Sequence, residues 1–449
     1  LGIVGSTSTL AANNREIDGY DAGKPENYLM YWDANNLYGW AMSQALPYKN
    51  LRLREDVLLE EILGAADDAE TGFIVERDLH FPKEIHDKLK EFPPCPESLN
   101  IPESMLSEYQ KDCAKNNNVK SGKSSTKLVA HLMDRKQYCI DYRNLKYVAN
   151  LGVVITQVHR VVSFTQKAWL KPYIDFNTDK RKEAKNEFEK DFKLMNNAVF
   201  GKTMENVKNR INLHLTTDEQ NAVKWFSKIN FKTGKSFDNL YLIEMFKQEI
   251  VYDKPIYVGT SILDLSKLHM LKFHYEVIDA QFKGHYNLIY TDTDSLVYDI
   301  YHPDVYSWVK DNKQHFDLSD DKFNKDDSNK KVLGMFKDEL HGVPMKEFLA
   351  LNPKVYCLDY GDQKVRKGKG VSKVVLKKEI TNEDYKQVLE TGQSLSKDVH
   401  AIRSYQHEVF TIKANKKCLT NYYDKMYMPD GNTCIPYGHF SLEAVSELV

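Results

Sequence analysis

YTDTDS, residues 290–295, lies between two apolar half-strands, NLI at 287–289 and LVYDI at 296–300. Two carboxylates one residue apart inside an apolar hairpin need a physical reason. Side chains alternate along a strand, so Asp292 and Asp294 face the same way unless the tight turn between them twists one aside. Either way they crowd each other, and like charges that close raise each other's proton affinity unless a cation neutralises them. Hard oxygen donors with no His or Cys nearby suit Mg²⁺ rather than zinc. Asp is also common in plain turns, so a second strand ending in a carboxylate is the feature to look for. NYLMYWDANNLYGWAM, residues 27–42, supplies it: an apolar strand breaks at Asp33 and turns into a short helix.

Two further segments carry strong order. DKRKEAKNEFEKDFKLMNNAVFGKTMEN, residues 179–206, places Ala184, Phe188, Phe192, Met195 and Val199 at steps of three and four, which predicts one amphipathic helix. On that helix Lys193, Asn197 and Phe200 share a face away from the apolar stripe. Together they offer a cation, an amide and a ring, the groups a nucleotide needs for its phosphates, base edge and base plane. PIYVGTSILDLSKLHMLKFHYEVI, residues 255–278, reads as a strand, then Thr260 or Ser261 as N-cap, then a long helix. TGFIVERDLHFP, from residue 71, alternates as a strand does. Strands and helices mix without regular βαβ alternation, so the fold class is α+β with an antiparallel centre.

Length and composition set the frame. A chain of 449 residues has room for two to four subdomains around a shared core. With 62 basic and 64 acidic residues, bulk charge neither requires nor excludes a nucleic-acid partner. The six cysteines show no C-x-x-C pair, which fits free thiols in a reducing compartment. No apolar run approaches the ~18 residues of a membrane span, and the first residues are too polar for a signal peptide. A soluble, intracellular protein without membrane partners is expected, and the missing initiator Met fits a piece of a longer chain. The polar stretch at 115–127 reads as an exposed loop. Its GKS is not the end of a phosphate loop, because Asn117 stands where the first Gly is required and no apolar strand precedes it.

These residues also carry a resemblance. DANNLY resembles motif A of the family B DNA polymerases, KLMNNAVFG motif B and YTDTDS motif C, in the family's order, and NPKVY is similar to the family's K-x-Y motif. Longer stretches, among them DYRNLKYVANLG, WLKPYIDFNT and YGHFSL, resemble the protein-primed branch encoded by Maverick (Polinton) type self-synthesising elements and related viruses. The resemblance runs from about residue 20 to 441. It implies a right-hand polymerase fold: palm in residues 1–165 with an inserted element at about 95–150, helical fingers in 166–250, palm again in 251–349 and thumb in 350–449.

Roles follow position by position. The resemblance implies that Asp33 and Asp294 bind two Mg²⁺ ions, for which Mn²⁺ can substitute, with Asp292 beside them as a third catalytic and metal-site residue. Tyr38 matches the position that blocks a ribose 2′-hydroxyl and Lys193 the one that grips the triphosphate. Asn197 and Phe200 would flank the nascent base pair. Phe200 stands where the family usually has Tyr, keeping the ring and losing a hydroxyl. Lys354 and Tyr356 would hold the primer end. Arg181, Lys182 and Lys185 are further phosphate candidates, although Arg181 and Lys193 would be ~18 Å apart on one straight helix. QKVRKGKGVSKVVLKK, residues 363–378, has seven basic residues and no acidic one, so Arg366, Lys367 and Lys369 are candidate DNA contacts.

The implied activity is DNA-directed DNA synthesis on a primer and template from dNTPs, with a terminal protein as primer, in the nucleus or cytoplasm where an element or virus replicates. Only 32 residues precede Asp33, so the family's exonuclease domain is expected to be off this chain. A reverse transcriptase is the rival enzyme, but its two aspartates are adjacent, whereas Thr293 separates these. A catalytically idle, domesticated DNA-binding relic is the rival of another class. The 115–127 loop is expected on the surface of the inserted element, with residues 112–127 dispensable for extending a DNA primer.

Overall fold

Five antiparallel strands form the central sheet, in the order Gly2–Val4, Tyr286–Asp292, Ser295–Ile300, Tyr28–Ala34 and Phe336–Asp338. The computed structural model describes residues 1–119, 126–184, 186 and 191–442. Every residue of Ser295–Ile300 is buried, which is why LVYDI shows no polar alternation. In Tyr28–Ala34, Trp32 packs against Phe273 and Phe316 at centroid distances of 6.0 and 5.4 Å. Tyr31, one position away and so on the opposite face, meets Tyr356. Replacing the fully buried Trp32 by Ala would cost about 3–5 kcal/mol. Asp33 lies on the Tyr31 face, at the strand's open end.

The long helix spans Ile256–Lys272, continues as a π-helical turn at Phe273–Ile278 and ends with Asp279–Phe282. The strand expected at its start is absent. Pro255 occupies the N-cap position, Ile256 is already helical, and Thr260 lies inside the helix with Oγ1 donating to the Ile256 carbonyl at 2.9 Å. Burial outweighs β-propensity here: Val258, Ile262, Leu265 and Leu268 pack with Ala41, Met42 and Ile174. Gly259 lets another helix come close, since a Cβ there would sit 2.3 Å from the Met204 sulfur.

The single helix expected over 179–206 is instead a hairpin of two helices, Lys171–Glu183 and Phe192–Thr203. Ala184, with ψ 126°, leaves the helical region. Asn177 Nδ2 donates to Asn196 Oδ1 at 2.8 Å between the two helices, and both residues are buried. The proposed apolar stripe fails accordingly: Met195 is exposed, while Asn196 points inward. Phe188 and Lys185 lie outside the described residues.

A second sheet orders Leu46–Arg54, Val154–Lys167, Thr71–His80 and Arg135–Asp141, the third strand being the one expected from its alternation. Asp141 caps helix Tyr142–Asn150, accepts two bonds from the Arg143 guanidinium at 2.9 Å each, and donates its backbone N–H to Asp264 of the long helix at 2.7 Å. All three residues are buried, so the DYRN segment is a brace between the second sheet and the long helix.

The region read as helical fingers also holds a three-stranded sheet, Asn212–Thr216, Leu240–Met245 and Phe231–Phe237, with helix Glu219–Phe226 on one face. Strands Met345–Asn352, Val355–Tyr360 and Gln363–Lys367 form a further sheet. Beyond it a two-stranded ribbon, Leu395–Tyr405 and Glu408–Leu419, turns at Gln406 and His407, both at positive φ. Residues 420–442 then leave the ribbon and return to the body. Gln110 Nε2 donates to the Tyr423 and Met426 carbonyls at 2.9 and 2.8 Å, and the Val4 N–H donates to the Tyr423 hydroxyl at 3.1 Å.

That return corrects the reading of 115–127. Helix Glu108–Asn116 begins in a Ser107/Gln110 capping box. Asn117 is buried, donating to the carbonyls of Cys113 and Gly392 and to Asn421 Oδ1. Lys127 pairs with the buried Asp424. Residues 112–119 and 126–127 therefore tie the inserted element to the C-terminal segment; residues 120–125 lie outside those described. No helix among the described residues is long and apolar enough to cross a membrane.

Candidate active site

Strand register brings the backbones of the two motif aspartates together. Asp33 stands directly across from Ser295, and the Ala34 N–H donates to the Asp294 carbonyl at 2.7 Å. The connecting turn is tight: the Asp294 N–H bonds to the Asp292 carbonyl at 2.8 Å across Thr293, whose φ is +64°. That is a γ-turn of the rarer, strained sense, and strain of this kind persists only where surrounding structure enforces it. Asp294 thus belongs to the turn rather than to the strand, and the turn carries it beside Asp33. Asp292 ends its strand opposite Ser295 and Gly2, and its carboxylate is 3.2 Å from Lys354 Nζ.

Lys354 and Tyr356 sit where the next sheet crosses this one. Lys354 has φ +66°, and its N–H donates to the Tyr290 hydroxyl at 3.0 Å, which holds its side chain over the hairpin. Tyr356 is buried among Tyr290, Phe348 and Tyr31, with 3.1 Å between its hydroxyl and that of Tyr31. Burial pushes the Tyr356 phenol up, against the Tyr31 hydrogen bond, and the charges of Glu339, Asp292 and Asp33 push the same way.

The DANNLYG segment shapes the other wall. Asn35 Nδ2 donates to Asp317 at 2.7 Å. Asn36 adopts a left-handed conformation, φ 43°, and caps helix Leu37–Met42 by accepting from the Gly39 N–H at 3.3 Å. Gly39 is needed for that cap, because a Cβ would lie 2.4 Å from the Asn36 amide. The helix presents Tyr38, whose ring stacks on Phe200 of the helical hairpin, centroids 4.4 Å apart and planes 19° from parallel. Burial raises the Tyr38 phenol, and the Asp294 and Asp292 charges raise it further. Asn197, one turn before Phe200, has a buried Oδ1 with no hydrogen-bond partner among the described residues. Lys193 belongs to the same helix, but its side chain lies outside the described residues. Arg181 is on the other helix of the hairpin, so the straight-helix separation from Lys193 does not apply.

The basic run divides. Lys367 and Lys369 are exposed, Lys367 paired with Tyr356 in strand register. Arg366 turns inward, donating to the Leu376 carbonyl at 3.0 Å and to Asn382 at 3.2 Å, which supports the sheet from within. Lys425 was missed from sequence. It is half-buried, donates to the Gly2 carbonyl at 3.4 Å, and is pushed down by burial, with Lys369 and Lys127 next among the causes. Lys354, Lys425 and Lys369 thus mark a cationic track leading from the hairpin. Asp292 and Lys425 are 133 positions apart, so no local pattern could have joined them.

The donor set fits magnesium. Asp33 and Asp294 are hard oxygen donors, and the motif turn contains no His or Cys. Among the described residues no three His, Cys, Asp or Glu side chains gather around one ion position. Mg²⁺ does not require three, since it is commonly held by one or two carboxylates with substrate phosphates completing its shell.

At the far end of the molecule the ribbon tip meets the three-stranded sheet. Lys235 Nζ lies 3.0 Å from Glu408, and His407 Nε2 lies 3.4 Å from Glu244.

No protein-family model matches the chain, and no curated protein does. Solved structures do match. Phi29 DNA polymerase complexed with primer-template DNA and incoming nucleotide substrates superimposes with a TM-score of 0.53 over 93% of this chain, at 16% identity. The fold is shared with a DNA polymerase. The orthorhombic crystal form of Phi29 DNA polymerase gives a TM-score of 0.52 over 92% of the chain at 14% identity. The chain spans 61% of the length of each of these structures.

Proposed function

We propose that this chain is a DNA-directed DNA polymerase that transfers deoxynucleotides to a primer 3′-hydroxyl. The observation carrying this reading is the placement of Asp33 beside Asp294 by strand register, next to the Tyr38–Phe200 shelf. Two Mg²⁺ ions bound there, or Mn²⁺ in their place, would activate the hydroxyl and stabilise charge on the phosphates. Asp33 and Asp294 would hold them. Tyr38 would press on the sugar of the incoming nucleotide, Asn197 and Phe200 would bound the base pair, and Lys193 and Arg181 would face the phosphates. Lys354, Tyr356, Lys367, Lys369 and Lys425 would hold primer and template, with Arg366 bracing them from behind.

The motif stretches resembling Maverick-type polymerases support protein-primed replication of a mobile element or virus, in the nucleus or cytoplasm, with a terminal priming protein as partner. The contact between ribbon tip and three-stranded sheet would close a passage around the duplex. The test of the nucleotide shelf is primer extension on a DNA template with Mg²⁺ and dNTPs or rNTPs. Tyr38→Ala should raise the ribo/deoxy ratio of kcat/KM by about tenfold or more, since it opens space where a 2′-hydroxyl would otherwise clash. An unchanged ratio removes Tyr38 from sugar selection.

A further inference from the structure

Two half-buried cations meet alongside motif A, and among the described residues neither has a carboxylate within ion-pair distance. Arg181 lies in the last turn of helix Lys171–Glu183. The acids of its own helix turn are engaged elsewhere, Glu183 with Lys180 at 3.3 Å and Asp179 with Lys182 at 3.4 Å. Lys331, from the palm, reaches across so that its Nζ donates to the Arg181 carbonyl at 3.3 Å. The acid whose charge acts on Lys331, Asp317, is engaged by other donors: it accepts from Asn35 Nδ2 at 2.7 Å, from the Lys331 N–H at 2.8 Å and from the Ser319 N–H at 3.1 Å.

This pair is held close to Asp33. The Asn35 N–H donates to the Met335 carbonyl at 2.9 Å, the Gly334 N–H donates to the Asn35 carbonyl at 2.8 Å, and Phe336 pairs with Ala34. The 331–336 segment therefore runs along residues 33–36. Lys337, directly across from Asp33, adds positive charge that Asp320 offsets at 2.6 Å. Burial, then the charges of Arg181, Lys330 and Lys337, push the Lys331 ammonium down, against Asp317, so among the described residues positive charge outweighs negative around it.

We infer that Lys331 and Arg181 form a site for the terminal phosphates of the incoming nucleotide and for the pyrophosphate released, Lys331 being a palm-borne phosphate ligand. A phosphate between them would accept charge-assisted hydrogen bonds from a guanidinium and an ammonium that come from different elements. Lys331 has three donors and spends one on the Arg181 carbonyl, leaving two for an anion. The inference rests on the polymerase reading for its substrate, though not for its charge.

The test titrates the intact chain calorimetrically with inorganic tripolyphosphate in the absence of divalent ions. In parallel, steady-state dNTP incorporation is measured on saturating primer–template. Lys331→Gln should weaken tripolyphosphate binding by about tenfold and raise the dNTP KM by a similar factor, with kcat within about threefold, the loss expected for one charge-assisted bond. Lys331→Arg, which keeps the charge, should restore most of both. Should Lys331→Gln melt early, Arg181→Gln is read in the same way. Unchanged tripolyphosphate affinity in Lys331→Gln overturns the inference. So does a fall in kcat and Tm at constant KM, which would make Lys331 a brace for the fingers. A wild-type chain that binds tripolyphosphate through Lys331 yet adds no nucleotide would uphold the phosphate site and refute the polymerase reading.

Discussion

The carboxylate turn and the ribbon tip are built in opposite ways. Asp33 and Asp294 are placed by backbone register within a sheet whose middle strand, Ser295–Ile300, is buried on both faces, and a strained turn at Thr293 is held by its neighbours. The ribbon tip touches the three-stranded sheet through the Lys235–Glu408 ion pair, with Glu408 70% exposed, and through His407 beside the buried Glu244. Exposed pairs of this kind contribute only about 0–1 kcal/mol and weaken with salt. On the proposed reading, geometry needed for chemistry is fixed by the core, whereas a contact that would open to admit a duplex is left weak.

The largest effect expected from breaking this contrast is at the turn. Asp33→Asn should lower primer extension by about a thousandfold or more while leaving Tm equal or higher, because on the proposed reading the substitution removes a metal ligand and relieves carboxylate crowding. Parallel losses of activity and Tm would mean that Asp33 supports the sheet instead.

A second change sharpens the account of the core. Asp338, across from Trp32 on the edge strand, is half-buried and its carboxyl is pushed up from 3.8 to about 7. Burial is the main cause, opposed by hydrogen bonds from the Leu340 and Gly342 N–H groups. The folded protein keeps this proton between about pH 4 and 7 while the unfolded chain releases it. This group's contribution to stability therefore falls as pH rises through that window. Asp338→Asn should match wild type near pH 4 and exceed it by on the order of 1–3 kcal/mol at pH 8, by urea unfolding. A constant difference across that range would contradict the assignment.

The smallest expected effect is at the tip. Lys235→Glu replaces an attraction to Glu408 with a repulsion and should shorten the tract made per binding event severalfold, more at low salt than at high salt. Addition of a single nucleotide should stay within twofold or so. Equal loss in both assays would tie the tip to the chemistry.

These contrasts also explain what could be read in advance. The turn was legible because its strands are short, apolar and locally bounded, and DANN breaks its strand where the cap at Asn36 requires. The helix over 179–206 was misread because no Gly or Pro marks the reversal after Ala184; the Asn177–Asn196 bond that secures it joins two polar residues no pattern pairs. IYVGT looked like a strand because β-branched residues favour one, and only the packing of Val258 and Gly259 against other helices decides otherwise. Asn117 looked like loop polarity, yet its partner Asn421 is 304 residues away. Lys331 and Lys425 gain their meaning from contacts of the same long range.

The most direct test of the central claim is single-turnover incorporation by the wild-type chain and Asp294→Asn on four DNA primer–templates that differ only in the templating base, with Mg²⁺ and one dNTP at a time. The account predicts that wild type adds only the complementary deoxynucleotide on each template, and that Asp294→Asn binds the same duplex but adds it about a thousandfold more slowly or worse. Incorporation that ignores the template, or that survives in Asp294→Asn at the wild-type rate, would contradict it.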